Sequence, residues 1–208
     1  WQKYYQPIPV GRRIYIVPEW MRGRAVPEGR VPLYLNPGLT FGTGSHPTTQ
    51  LCLELLEEEV HGGERVLDLG CGSGILAIAA LALGAQHAAG VDIDPKAVDV
   101  AYENAAMNGI GRDRLSVLSG NVLGDRKLAA RLVEQGRSRV VLANIVADVI
   151  IPLSAAAGDF LAPGGVFLAS GIIDERADEV EAAIRSSGLT VTKRLERAGW
   201  CAFRAQGR

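Results

Sequence analysis

Three features of this sequence can do chemistry together: a glycine-rich turn, an acidic residue one apolar run later, and an asparagine at the end of a third run. Residues 68–74 read Asp-Leu-Gly-Cys-Gly-Ser-Gly, with apolar Val66-Leu67 before them and an apolar stretch over 75–83 after them. Glycines between a strand and a helix let the backbone approach a ligand and leave N–H groups free at the helix start. Asp92 closes the next apolar run, where a carboxylate can accept both hydroxyls of a ribose. Asn144 follows the run 139–143; its carbonyl can accept from an amine while its NH2 donates elsewhere. On residues alone, Asn144 can equally serve to cap a strand end.

Two cofactor classes use a glycine turn paired with a distant carboxylate. A dinucleotide site wants G-x-G-x-x-G, the third glycine packing helix on strand. Here the spacing is G-x-G-x-G and position 75 is Ile, so that fingerprint fails. The compressed form, with Asp68 two residues ahead of the first glycine, resembles the turn of methyltransferases that use S-adenosylmethionine. In that reading Gly70 and Gly72 lie under the methionine part and Asp68 near its ammonium group. Methyl transfer from a sulfonium is a direct displacement, so the protein must hold a neutral nitrogen in line at near-attack distance. A lysine amine, with a pKa of about 10.4, must first lose a proton. Burial and a nearby cation disfavour its charged form, and carbonyl oxygens at Asn144 and just after it can aim the lone pair.

The elements that must position these groups alternate. Apolar patterning predicts strands over 65–69, 88–92, 115–119, 139–143, 165–170, 189–194 and 200–204. Helices are predicted over 74–84, 95–107, 125–135, 148–160 and 174–187. Asp94-Pro95 reads as an N-cap followed by proline at N1. Such alternation implies an α/β fold: a doubly wound, mostly parallel seven-stranded sheet. The short connection between the last two runs forces a hairpin, so the final strand runs antiparallel. Residues 1–47 hold seven of the ten prolines and read as a linker with short strands at 13–17 and 31–35, leading into a catalytic domain over 48–208. A helix is predicted over 48–59, with His46-Pro47 suited to its start.

With 208 residues, 48% apolar, 22% charged and a net charge of -1, the chain has the balance of a soluble one-domain protein. No bulk positive field indicates nucleic acid. Three cysteines without a C-x-x-C pair argue against a disulfide framework or a zinc site and fit a reducing cytosol. The histidines at 46, 61 and 87 lack metal spacing, and no apolar run is long enough to span a bilayer. Cys71 inside the turn reads as a small packing residue. Residues 36–49 are rich in small residues and can either fold over a ligand as a lid or form a plain surface loop. Within them Phe41 can stack on an adenine or face a cation, and Thr49 can reach a carboxylate from the helix start.

Residues 37–53, 68–80 and 90–98 together resemble the bacterial methyltransferases of large-subunit ribosomal protein eleven. Asn144-Ile-Val-Ala147 is similar to that family's Asn-Ile-Leu-Ala segment, and Ser170-Gly-Ile172 and Trp200-Cys201 match later landmarks. The resemblance covers nearly the whole chain. It implies a Rossmann-like fold, S-adenosylmethionine as cofactor, and a cytoplasmic enzyme that methylates lysine side chains and an N-terminal amine of a ribosomal protein. It implies cofactor contacts at Thr49, Gly70, Asp92 and Asn144, with Asn144 also placing the amine. Phe41, Thr43, Asp68, Gly72 and Ile93 complete the expected cofactor set. The alternative acceptor is a nucleic-acid base or small-molecule amine, which aromatic partners beside Asn144 would favour; Ile145 and Val146 are aliphatic. Three departures stand out. The chain opens at Trp1, where the family's small substrate-gripping domain would already have ended. Ser45 replaces a usual Thr, and Asp148-Val149 replaces a usual Gly-Pro beside the acceptor.

Overall fold

The structure, a computed structural model, describes residues 2–37 and 44–208. Near the start of the chain, β1 (Ile8–Val10), β2 (Ile14–Pro18) and β3 (Val31–Leu35) form a small sheet, β1 antiparallel and β3 parallel to β2. The prolines of this region had suggested irregular chain with two short strands. Instead Pro9 and Pro32 sit inside edge strands, where a missing N–H costs no ladder bond.

The main unit alternates α1 (Pro47–Glu57), β4 (Arg65–Leu69), α2 (Ile75–Ala82), β5 (His87–Asp92), α3 (Lys96–Met107), β6 (Leu115–Ser119) and α4 (Arg126–Val133). It continues with β7 (Ser138–Asn144), α5 (Ala147–Phe160), β8 (Leu161–Ile173), α6 (Asp174–Ser186), β9 (Thr190–Arg197) and β10 (Trp200–Gln206). The seven strands lie in the order β6-β5-β4-β7-β8-β10-β9. All neighbours are parallel except β10, which is antiparallel to both β8 and β9. No described helix is long and apolar enough to cross a membrane.

The sheet's two faces follow from strand alternation. Val66, Val140, Leu142, Val166 and Leu168 face one layer, packing with α1, α2 and α3. Leu67, Leu69, Val141, Phe167 and Ala169 face the other, with α4, α5 and α6. Val10, Ile14, Ile16, Leu33 and Leu35 of the small sheet belong to the first of these clusters, with Leu51, Leu55 and Leu56 of α1. Polar groups fasten the same junction. The Arg13 guanidinium donates to the carbonyls of Glu57 and Val60 at 2.6 and 2.5 Å, and the Glu57 carboxylate accepts the N–H groups of Arg12 and Arg13. Asn108, just past α3, exchanges two hydrogen bonds with the backbone of Tyr34.

Two details differ from the sequence reading. β8 runs thirteen residues, well past the expected 165–170, because Pro163-Gly164-Gly165 does not end it. The ladder to β7 shifts register there, between Ser138 and Val140, and resumes, a bulge that absorbs the breakers. β9 reaches Arg197, so its hairpin to β10 closes over two residues, Ala198 and Gly199, with φ of 51° and 84°. Both positive angles are those of a type I′ turn, whose twist matches that of the strands.

Candidate active site

The sheet order reverses between β4 and β7, and a crevice at the carboxyl ends of strands is expected at such a point. A cavity of about 890 Å3 lies there, walled by Gly70, Cys71 and Gly72 of the turn, Asn144 of β7, Thr49 of α1 and Trp200 of β10.

The turn after β4 is built by glycine. Gly70, Gly72 and Gly74 have φ of 77°, 51° and 82°, a region L side chains adopt at a cost. The N–H groups of Gly70 and Cys71 both donate to the Val91 carbonyl, at 2.8 and 3.0 Å, so the end of β5 sets where the turn sits. The Gly72 N–H donates to the Asp92 carboxylate at 2.8 Å, and the Asp94 N–H to its other oxygen at 2.9 Å. A carboxylate has about four acceptor positions, so Asp92 keeps capacity for further donors. Where Gly72 would carry a Cβ there is open space, and a ligand can come against the bare backbone. Asp94 accepts the Lys96 N–H at 2.9 Å, doing the capping work expected of it.

Cys71 is buried, and its thiol is pushed upward, chiefly by desolvation, then by the charges of Asp68 and Asp92. Its sulfur fills the space above Gly90, where a Cβ would stand 2.9 Å from Sγ. Asp68 is on the same face of β4 as Val66 and is only 1% exposed. Neither of its carboxylate oxygens has a hydrogen-bond partner among the described residues. Burial raises its pKa from 3.8 to about 7; the Ala77 N–H, directed toward the carboxyl without closing a well-formed hydrogen bond, opposes this and the Asp92 charge adds to it. An orphaned acid beneath a glycine turn is what a cationic ligand group would satisfy.

Asn144 pairs with Ser170 in the β7–β8 ladder, and its side chain makes no hydrogen bond among the described residues. Thr49 is buried at the start of α1 with its hydroxyl likewise unengaged. His46 is the N-cap: its ring nitrogen accepts the Thr48 N–H at 3.3 Å and lies 2.8 Å from the Thr48 hydroxyl. Its ring stands edge-on to Trp200, centroids 5.1 Å apart. Thr49, Gly70, Gly72 and Asn144 thus share one cavity, Asp92 is tied to its glycine wall, and Asp68, two residues ahead of that wall, is buried and does not line it. Ile93 is 71% exposed beside Asp92 and outside the cavity wall. Phe41 and Thr43 lie outside the described residues. Sequence reasoning named Gly171 and Trp200 only as landmarks of the resemblance, not as wall residues; both come from strands that the topology brings across from beyond β7.

Comparison with known proteins places this arrangement. The sequence profile of the family described as Ribosomal protein L11 methyltransferase (PrmA) matches residues 1–208. The chain is 46% identical to the ribosomal protein L11 methyltransferase of Pelotomaculum thermopropionicum over 206 residues, covering 99% of this chain and 64% of that protein. It is 46% identical to its namesake in Pseudomonas aeruginosa over 209 residues, covering 100% and 66% respectively. This chain therefore spans just under two thirds of the length of these curated relatives. The crystal structure of a ribosomal protein L11 methylase from Lactobacillus delbrueckii subsp. bulgaricus superposes with a TM-score of 0.85 at 30% identity, over 98% of this chain and 100% of the other.

Proposed function

This chain belongs to the ribosomal protein L11 methyltransferase family, and on that premise we propose that it transfers methyl groups from S-adenosylmethionine to amino groups of ribosomal protein L11, lysine side chains and the N-terminal amine among them. The observation that carries the cofactor assignment is Asp68. A buried carboxyl with two unpartnered oxygens, under a turn whose Gly72 leaves its backbone bare, fits an ammonium group held against the turn. Thr49 would hold the adjoining carboxylate from the α1 start, and Asp92 the ribose hydroxyls. Ile93 would offer its apolar side chain to the adenine, with Phe41 and Thr43 completing the cover.

When bound, S-adenosylmethionine would supply an electrophilic methyl carbon with a neutral thioether as its leaving group. The chain's own residues do the rest. Asn144 accepts an N–H of the incoming amine, with the Ile145 carbonyl beside it, and so aims the lone pair. Ile145, Val146 and Val149 on the cavity wall keep the approach apolar, which favours the neutral amine. The proton released from the nitrogen leaves to solvent at the cavity mouth. Residues 48–208 carry this chemistry and 1–47 lead into it, in the cytoplasm where ribosomal proteins are made. A base or small-molecule amine as acceptor is weighed down by the full-length family match.

Mixing the chain with radiolabelled cofactor and purified L11 tests this: label is expected in L11. Label absent from L11 but present in added RNA would move the acceptor, and no calorimetric binding of S-adenosylhomocysteine at millimolar concentration would remove the cofactor.

A further inference from the structure

Two residues outside the proposed chemistry touch the segments that carry its acceptor side. Ser170 is fully buried, and its hydroxyl donates to the Thr48 carbonyl at 2.8 Å, across 122 residues of chain. Its own carbonyl accepts the Ile145 N–H at 3.1 Å. One residue therefore joins the start of α1, which carries His46 and Thr49, to the end of β7, which carries Asn144. The next residue, Gly171, has φ of +88°. A Cβ there would stand 2.7 Å from the Ile145 oxygen, 2.9 Å from the Ile145 nitrogen and 3.0 Å from Asn144 Oδ1. Those oxygens are the two that face an amine in the reading above, and they sit where they do because position 171 has no side chain. The ladder to β10 also shifts register here, with Ser170 and Gly171 together opposite Ala202, a bulge in which a glycine of positive φ is at home; the approach of the two oxygens comes in addition to that.

We propose that Ser170 and Gly171 are positioning residues for methyl transfer, acting through Asn144 and the Ile145 carbonyl. This rests on the reading that Asn144 aims the amine. The hydroxyl of Ser170 sets the distance between the α1 start and the end of β7. The bare face of Gly171 sets how far the two oxygens reach into the cavity. Misplacing them by a fraction of an ångström disturbs in-line approach and leaves the glycine turn, Asp68 and Asp92 untouched.

The test compares Ser170→Ala, Ser170→Thr, Gly171→Ala and Asn144→Ala. For each, kcat with L11, S-adenosylhomocysteine affinity by calorimetry and the thermal midpoint are measured. The Asn144 side-chain amide resonance is followed in the ligand-free protein. In Ser170→Ala and Gly171→Ala, kcat should fall roughly tenfold to a hundredfold and the Asn144 resonance should shift. Affinity for S-adenosylhomocysteine should stay within about twofold of the parent in Gly171→Ala and, because Ser170 also tethers the α1 start that carries Thr49, should fall in Ser170→Ala by less than kcat does. Ser170→Thr, which keeps the hydroxyl, should recover most of the loss. If Gly171→Ala does not fold, the serine pair alone decides. Unchanged kcat with an unmoved resonance, or kcat and affinity falling by the same factor, overturns the proposal. Should Asn144→Ala itself leave kcat intact, the acceptor reading fails; should it abolish turnover while the other variants are normal, only the positioning role fails.

Discussion

Lowering the pH should weaken cofactor binding through a single buried carboxyl. In the ligand-free protein Asp68 titrates near 7 instead of 3.8, because burial without a partner disfavours its charge. An ammonium group placed against it favours the carboxylate, so binding below pH 7 must expel a proton. Affinity for S-adenosylhomocysteine should then fall about tenfold per pH unit below 7, reaching roughly thirtyfold at pH 5.5. Above about pH 8 the ligand's own amino group loses its charge, leaving a narrow optimum between the two. Stability carries the opposite sign. The folded value is raised, so this contribution is fully present below pH 3.8 and is lost as pH rises through about 7; moving a carboxyl that far corresponds to roughly 4 kcal/mol. Asp68→Asn should bind ligand weakly and without the slope below pH 7, and should melt higher than the parent at pH 8 when ligand-free. Calorimetry from pH 5.5 to 8.5, in two buffers of different ionisation enthalpy, measures both affinity and released protons. A flat affinity across pH 5.5 to 7, or no proton release at pH 6, would refute the reasoning.

Asp92→Ala should lose about 2–3 kcal/mol of cofactor affinity, the worth of charge-assisted hydrogen bonds, and should lower the ligand-free urea midpoint, since its carboxylate also accepts the Gly72 and Asp94 N–H groups; equal calorimetric affinity in the two proteins would exclude a role at the ribose. Gly90→Ala should destabilise by about 1–3 kcal/mol through contact with the Cys71 sulfur. Adding Cys71→Ala should recover part of that in urea titrations, whereas strictly additive effects would contradict the contact. Asn108→Ala removes both hydrogen bonds to Tyr34 and should cost about 1–3 kcal/mol, seen as a lower urea midpoint.

Strands β4 and β6 occur where the apolar runs place them, at Arg65–Leu69 and Leu115–Ser119, because a buried parallel strand is an apolar run bounded by turn residues. The antiparallel last strand was readable from connection length alone. β1 was not: three residues flanked by prolines carry no periodicity, and only pairing with β2 makes them a strand. Near the cavity, local signals placed Gly70 and Gly72 in a turn and Asp92 at a strand end, which is where they lie. They could not show that Asp68 is buried without a well-formed hydrogen bond among the described residues, since burial depends on how the helices close over it. Nor could they show that Ser170 meets Thr48, a contact that chain topology creates between distant segments.

The small sheet at the chain's beginning shares its oily interior with α1, and this bears on transplantation. Anyone wishing to graft the transferase module onto a foreign recognition head would be tempted to splice at Pro47, where the repeating fold begins. That junction would strip the cover from Leu51, Leu55 and Leu56 and sever the anchors at Arg13 and Glu57. A cut ahead of Ile8 would leave both in place, so the smallest portable cassette is longer than the alternating unit alone.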